Sequence, residues 1–388
     1  MARQRKSLWG TLDKLTRQTL RDTVRASQRS PGAKLMRAAG DALLKGARQA
    51  THDAVRRMTD EGTERLVKAS RQVLTGVASP VASLPDAAGG QWLDGLWGAG
   101  PMALRRYRIY RPPGIRARRP APLLVLLHGC AQDSAAIATS TRVAAVARRL
   151  GFLVLLPEQS AHANPNRCWN WFQGESQVTL ETTILMAIVE RACATVPVDP
   201  LRVYTLGISA GGTMALSLAL HHPQRFAAVG AFSCAAPHSA AHPGQAAQAM
   251  RGRLAPDVDA LTALLNGRRP PPLIVLHGDR DRVVSAENAT STVALWLHLH
   301  QASGADGSHP AALVARPARR LQRGQRHPAV ILDWAERLRG GAPFVRWIRV
   351  EGLGHAWSGG TARQAFSDPD GPDALKLAWQ FFESLART

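Results

Sequence analysis

The chain has 388 residues, 45% of them apolar and 20% charged. That is the balance of a soluble globular protein, longer than one small domain requires. It contains no run of eighteen apolar residues, which excludes a conventional membrane-spanning helix. The net charge of +21 is uneven, since residues 1–75 alone carry 17 Lys+Arg against 7 Asp+Glu.

Residues 1–75 read as a basic, amphipathic helical extension. Trp9, Leu12, Leu15 and Leu20 recur at helical spacing, as do Leu35, Ala39, Leu43 and Ala47. Such a segment suits a granule or anionic membrane surface, the bland alternative being a solvated arm. No specific nucleic-acid partner is expected. The first residues are basic but lack an apolar h-region and a small-residue cleavage site, so a standard secretory signal is not expected. A cytoplasmic or granule-associated location is therefore favoured. Residues 76–102 are rich in Gly, Ala, Pro and Ser and read as a linker.

The main domain is placed at 103–388. Arg106–Tyr110 alternates like a strand. Leu123–Leu127, Phe152–Leu156, Arg202–Leu206, Phe226–Gly230, Leu273–Leu276 and Phe344–Ile348 are short, mostly apolar runs. Helix-like stretches lie between them, near 137–150, 178–194, 211–221, 286–302 and 372–386. Buried strands alternating with helices predict an α/β architecture, a mostly parallel sheet covered on both faces. Residues 303–328, rich in Arg, Ala, Gly, His and Pro without periodicity, read as a mobile surface insertion.

Chemistry first appears at Gly207-Ile208-Ser209-Ala210-Gly211-Gly212, between a strand and a helix. That is the context of a nucleophile elbow, whose tight turn needs small neighbours around the serine. A serine hydroxyl needs a base. His355, between small residues after the last predicted strand, fills that role. The acid is Asp281 or Asp279, both after the 273–276 strand. Asp281 is favoured because Val283-Val284 can anchor its loop, while Asp279 caps the turn. The expected mechanism has His355 take the Ser209 proton and Asp281 stabilise the imidazolium. The oxyanion donors are the backbone N–H groups of Ala210 and Cys130, the latter in the loop after the 123–127 strand. A reactive thiol at Cys130 is the competing reading. The four cysteines form no CxxC or Cys/His cluster, so neither a metal site nor a cofactor is expected.

The segments Leu127–Gln132, Asn164–Phe172 (with CWNWF), Gly207–Gly212, His277–Val284 and Gly354–Gly360 (with HAWSGG) together resemble esterases of the poly(3-hydroxybutyrate) depolymerase family. The resemblance spans roughly residues 103–386. It implies an α/β-hydrolase fold and ester hydrolysis through Ser209, Asp281 and His355. It also implies a Cys130–Cys168 disulfide, with Trp169, Trp171 and Trp357 lining an apolar groove. Cys193 and Cys234 are expected to be buried and inert. Many family members are exported, which keeps an extracellular or periplasmic location open. The substrate expected is a polyhydroxyalkanoate polymer or 3-hydroxybutyrate oligomer. A feruloyl or acetylxylan esterase is the near alternative. A surface- or nucleic-acid-binding protein with an inactive hydrolase domain is the alternative of another class. The oligomeric state is left open.

Overall fold

The computed structural model describes residues 89–304, 310–322, 324, 326–336 and 341–386. The expected helical extension at 1–75 lies outside these residues, as does the linker up to residue 88. In chain order the elements are β1 (Gln91–Trp97), α1 (Gly100–Ala103), β2 (Arg105–Arg111), β3 (Ala121–Leu127), α2 (Ser134–Thr141), α3 (Val143–Leu150) and β4 (Leu153–Pro157). Next come α4 (Glu175–Thr195), β5 (Val198–Ile208), α5 (Ala210–His221), β6 (Ala228–Phe232), α6 (Pro243–Met250), α7 (Val258–Leu265), β7 (Leu273–Gly278) and α8 (Glu287–Ala302). The chain ends through β8 (Leu313–Ala315), β9 (Arg319–Leu321), β10 (Ala329–Glu336), β11 (Val345–Val350), β12 (Trp357–Ser358), β13 (Ser367–Asp368) and α9 (Ala374–Leu385).

The main sheet runs β1-β2-β4-β3-β5-β6-β7-β11-β10-β8, with β9 also on β10. From β4 to β11 its neighbours are parallel, and antiparallel strands flank both edges. Pleating explains why β3 is apolar throughout. Leu123, Val125 and Leu127 join the core beneath α4, α5 and α8, while Leu124 and Leu126 join a second core with Phe152, Trp379 and Phe382. No described helix is long and apolar enough to cross a membrane.

Two boundaries differ from expectation. The supposed linker 76–102 contains β1, paired with β2 over its full length. Two of its glycines make room for tyrosine rings. A Cβ at Gly90 or Gly95 would strike Tyr110 or Tyr107, and Trp92 packs on Tyr110 at 5.0 Å.

The supposed insertion 303–328 supplies β8 and β9, which pair with β10, a strand the sequence reading missed. The described arginines there have partners. Arg319 reaches the buried Asp333 of β10 at 2.9 Å, and Arg346 grips the same carboxylate through two bonds of 2.8 and 2.9 Å. Arg320 pairs with Glu351. A charge inside the strand hid its alternation of buried and half-buried positions.

Candidate active site

Parallel strands β5, β7 and β11 point their carboxyl ends to one edge of the sheet, where open α/β sheets place their chemistry. Ser209 leaves β5, Asp281 follows β7 and His355 follows β11. Ser209 is held at φ 56°, ψ −129°, a costly conformation for a residue with a side chain. The residues two positions before and after it must be glycine. A Cβ on Gly207 would strike the Gly211 backbone, and one on Gly211 would strike the carbonyls of Leu127 and His128.

The loops bring the three side chains into one chain of contacts. His355 Nε2 stands 3.2 Å from Ser209 Oγ, and His355 Nδ1 stands 2.8 Å from Asp281 Oδ2. The other carboxylate oxygen, Oδ1, accepts from the Val283 and Val284 amides at 2.9 Å each. Asp279 instead accepts from the Gly352 amide at 2.7 Å. Asp281 is therefore the acid within reach of His355, and Asp279 ties its loop to the turn after β11. Val284 is buried as expected of an anchor, but Val283 is 46% exposed.

His277 is a partner that went unassigned. Its buried Nε2 lies 2.9 Å from the Val284 carbonyl and 3.4 Å from Asp281 Oδ2. Burial alone would raise the Asp281 pKa. Hydrogen bonds from His277 and His355, the charge on His355 and the Val284 amide outweigh it and hold the carboxyl well below its usual range.

Two backbone donors flank the serine. Ala210 is the first residue of α5, and its N–H has no acceptor among the described residues. In the loop after β3, Gly129 donates to Gln132 Oε1 and Ala131 to the Asn166 carbonyl. The Cys130 N–H between them has no acceptor among the described residues. The loop lies beside the serine, since a Cβ on Gly129 would stand 3.5 Å from Ser209 Cβ. Paired with the positive end of α5, two free amides are suited to developing negative charge.

Cys130 and Cys168 form a disulfide, so the thiol reading of Cys130 does not apply. The bridge joins the loop after β3 to the tryptophan loop. Trp169 Nε1 donates to the His128 carbonyl at 3.0 Å, a second tie between the loops. The buried carboxylate of Glu181 holds the tryptophan loop from below. It accepts from the Asn170 amide and side chain and from Gln159, with Arg105 at 3.6 Å. Burial pushes the Cys234 thiol up to about 12. Cys193 is only half-buried, with Sγ 2.9 Å from Arg225 Nη2.

The tryptophans do not line a groove as expected. Trp169, Trp171 and Trp357 are 1%, 5% and 1% exposed. Trp169 and Trp171 belong to the core beneath α4 and α5, and Trp357 packs on Phe232 in the opposite core. Large rings in loops adjoining a sheet bury their area wherever the core has room, and here it does. The exposed apolar rim is made instead by Val283 and by Phe366, which is 52% exposed with its ring 6.2 Å from the His355 ring. Phe366 was missed; its only trace in the sequence is one aromatic within the polar stretch after HAWSGG.

The Aspergillus awamori acetyl xylan esterase has a similar structure, with a TM-score of 0.56 at 16% identity over 76% of this chain and 99% of its own. The architecture is the α/β-hydrolase fold. Poly(3-hydroxyalkanoate) depolymerase C of Paucimonas lemoignei is 30% identical over 223 residues, 53% of this chain and 50% of its own. Feruloyl esterase B of Neurospora crassa is 30% identical over 141 residues, 35% of this chain and 46% of its own. The chain thus spans about half the length of these curated relatives. Residues 105–316, more than half of the chain and including Ser209 and Asp281, match the family described as esterase PHB depolymerase, and the chain belongs to that family.

Proposed function

We propose that the protein is a carboxylic ester hydrolase in which Ser209 is the nucleophile, His355 the general base and acid, and Asp281 the group that orients and stabilises the imidazolium. The observation that carries this reading is the continuous chain from Ser209 Oγ through His355 to Asp281, at 3.2 and 2.8 Å. His355 takes the serine proton as Oγ attacks the acyl carbon. The carbonyl oxygen, now negative, receives the N–H groups of Ala210 and Cys130. His355 then protonates the departing alcohol, and water releases the acyl group by the same steps in reverse order. Fluorophosphonate labelling with peptide mapping tests the nucleophile. The label is expected on the Ser209 peptide. Labelling elsewhere, or unchanged hydrolysis in Ser209→Ala, overturns the assignment, and an unlabelled wild type that hydrolyses no short ester favours an inactive hydrolase domain.

The substrate proposed is a polyhydroxyalkanoate or 3-hydroxybutyrate oligomer. The depolymerase relative and the exposed apolar rim of Val283 and Phe366 support it. The feruloyl esterase relative keeps aryl and acetyl esters of sugars as the second reading. Chain-length profiling against feruloyl sugars separates them. Turnover of feruloyl sugars without turnover of 3-hydroxybutyrate oligomers decides for the second. Residues 1–75 are proposed to adsorb the enzyme to a granule or anionic surface. Their deletion is expected to weaken adsorption while hydrolysis of soluble esters persists, and unchanged adsorption removes the idea.

A further inference from the structure

Away from the triad, three segments bring two histidines and a glutamate together. Glu175 begins α4, His221 ends α5 and His238 sits in the loop after β6. His221 Nε2 lies 3.5 Å from Glu175 Oε1, and His238 Nε2 lies 3.2 Å from Glu175 Oε2. The ligating atoms all lie within 4.8 Å of one another. The histidine side chains are 7% and 11% exposed, while Glu175 is 52% exposed and leaves the cluster open to solvent on one side.

Both Nε2 atoms are buried without a hydrogen-bond partner, because neither approach to the carboxylate is aligned as a hydrogen bond. One orphaned buried nitrogen is uncommon, and two facing the same carboxylate call for a common partner. A cation satisfies all three groups. Ligands around tetrahedral zinc, with bonds of roughly 2.0–2.1 Å, are about 3.3 Å apart, and the two contacts bracket that spacing. Burial and the neighbouring His238 and His222 push His221 down to about 4. Burial lowers His238 as well, against the pull of Glu175 and Asp257.

We propose that Glu175, His221 and His238 bind a divalent transition-metal cation, zinc by ligand type, with solvent completing the coordination. Two imidazoles and one carboxylate suit zinc and disfavour calcium or magnesium, which take oxygen. His221 lies eleven residues beyond Ala210 along α5, a rise of about 16 Å, so the cation does not touch the reacting ester. Its role is a clamp. It ties the start of α4, just past the tryptophan loop, to the end of the helix that follows Ser209 and to the loop after β6.

The test uses the full-length protein, stripped with a chelator and titrated with zinc chloride by calorimetry and thermal unfolding. One zinc per chain is expected, with a melting temperature that rises with zinc concentration. Glu175→Gln and His238→Ala are each expected to weaken zinc binding about tenfold or more. Glu175→Gln changes an exposed side chain and keeps its shape, so it reports on ligation even if a histidine variant folds poorly. Two outcomes overturn the proposal: no zinc-dependent rise in the wild type, or equal affinity in Glu175→Gln, which would place the zinc on other histidines.

Discussion

His277 Nε2 stands 3.4 Å from Asp281 Oδ2, the same oxygen that receives His355 Nδ1 at 2.8 Å. The acid is thus held between two imidazoles, one buried and one facing the serine. On the mechanism proposed above, His277 would act through Asp281 as a positioning residue. His277→Phe is expected to lower kcat with little change in KM, because the carboxylate loses a constraint while the substrate surface is untouched. A rise in KM alone would count against this role.

Asp281→Asn is expected to lower kcat by about ten-thousand-fold, as removal of the imidazolium partner does in serine hydrolases generally. The same substitution has a stability signature. The folded pKa of Asp281 is depressed below the unfolded value of about 3.9. Its contribution is therefore present above that value and lost as pH falls through the lower folded value. Wild type should melt higher than Asp281→Asn at neutral pH, with the gap closing only in strong acid. Melting curves across pH check this, and a gap independent of pH contradicts it.

Ser209→Gly is expected to abolish hydrolysis and yet stabilise the fold by about 1 kcal/mol. The substitution relieves the backbone cost of a serine at φ 56°, partly offset by a freer unfolded chain. Denaturant titration beside an activity assay measures both effects.

The Cys130–Cys168 bridge closes a separation of 38 residues. Loop-closure entropy puts its stabilisation at about 4 kcal/mol. Reduction, or Cys168→Ser, is expected to lower the melting temperature and to slow hydrolysis by loosening the Cys130 amide. Full activity and stability in strong reductant would exclude this bracing role.

Glu181→Ala leaves Arg105 buried without its carboxylate and removes the acceptor of Asn170 and Gln159. A loss of about 3–5 kcal/mol is expected from urea unfolding. A loss below 1 kcal/mol would mean that the network is dispensable.

Phe366→Ala is expected to raise KM several-fold more for oligomeric or long-acyl esters than for an acetyl ester. Its exposed ring beside His355 offers contact area only to substrates long enough to reach it. Equal effects on both classes would remove Phe366 from the substrate rim.

The seven strand segments read from the sequence all occur, six as the mostly apolar runs of buried strands and Arg106–Tyr110 by its alternation. Strands β1 and β10 were not legible. One is a glycine-bearing edge strand and the other carries the buried Asp333, and each makes sense only beside its partner. The choice between Asp279 and Asp281 was leaning but open in the sequence. In the structure Asp281 Oδ2 is the oxygen that reaches His355, while Asp279 Oδ1 meets the Gly352 amide.

Local chemistry was written in the chain itself. A tight turn around Ser209 requires glycine two residues to either side, so GxSxGG announces the elbow and the serine at its tip. Whatever depends on separate segments meeting was decided by tertiary packing. The burial of Trp169, Trp171 and Trp357 depends on where the core has room. The meeting of Glu175, His221 and His238 depends on how two helices and a loop pack together. Periodicity records the face a residue presents within its own element, and carries no record of what another element will bring to that face.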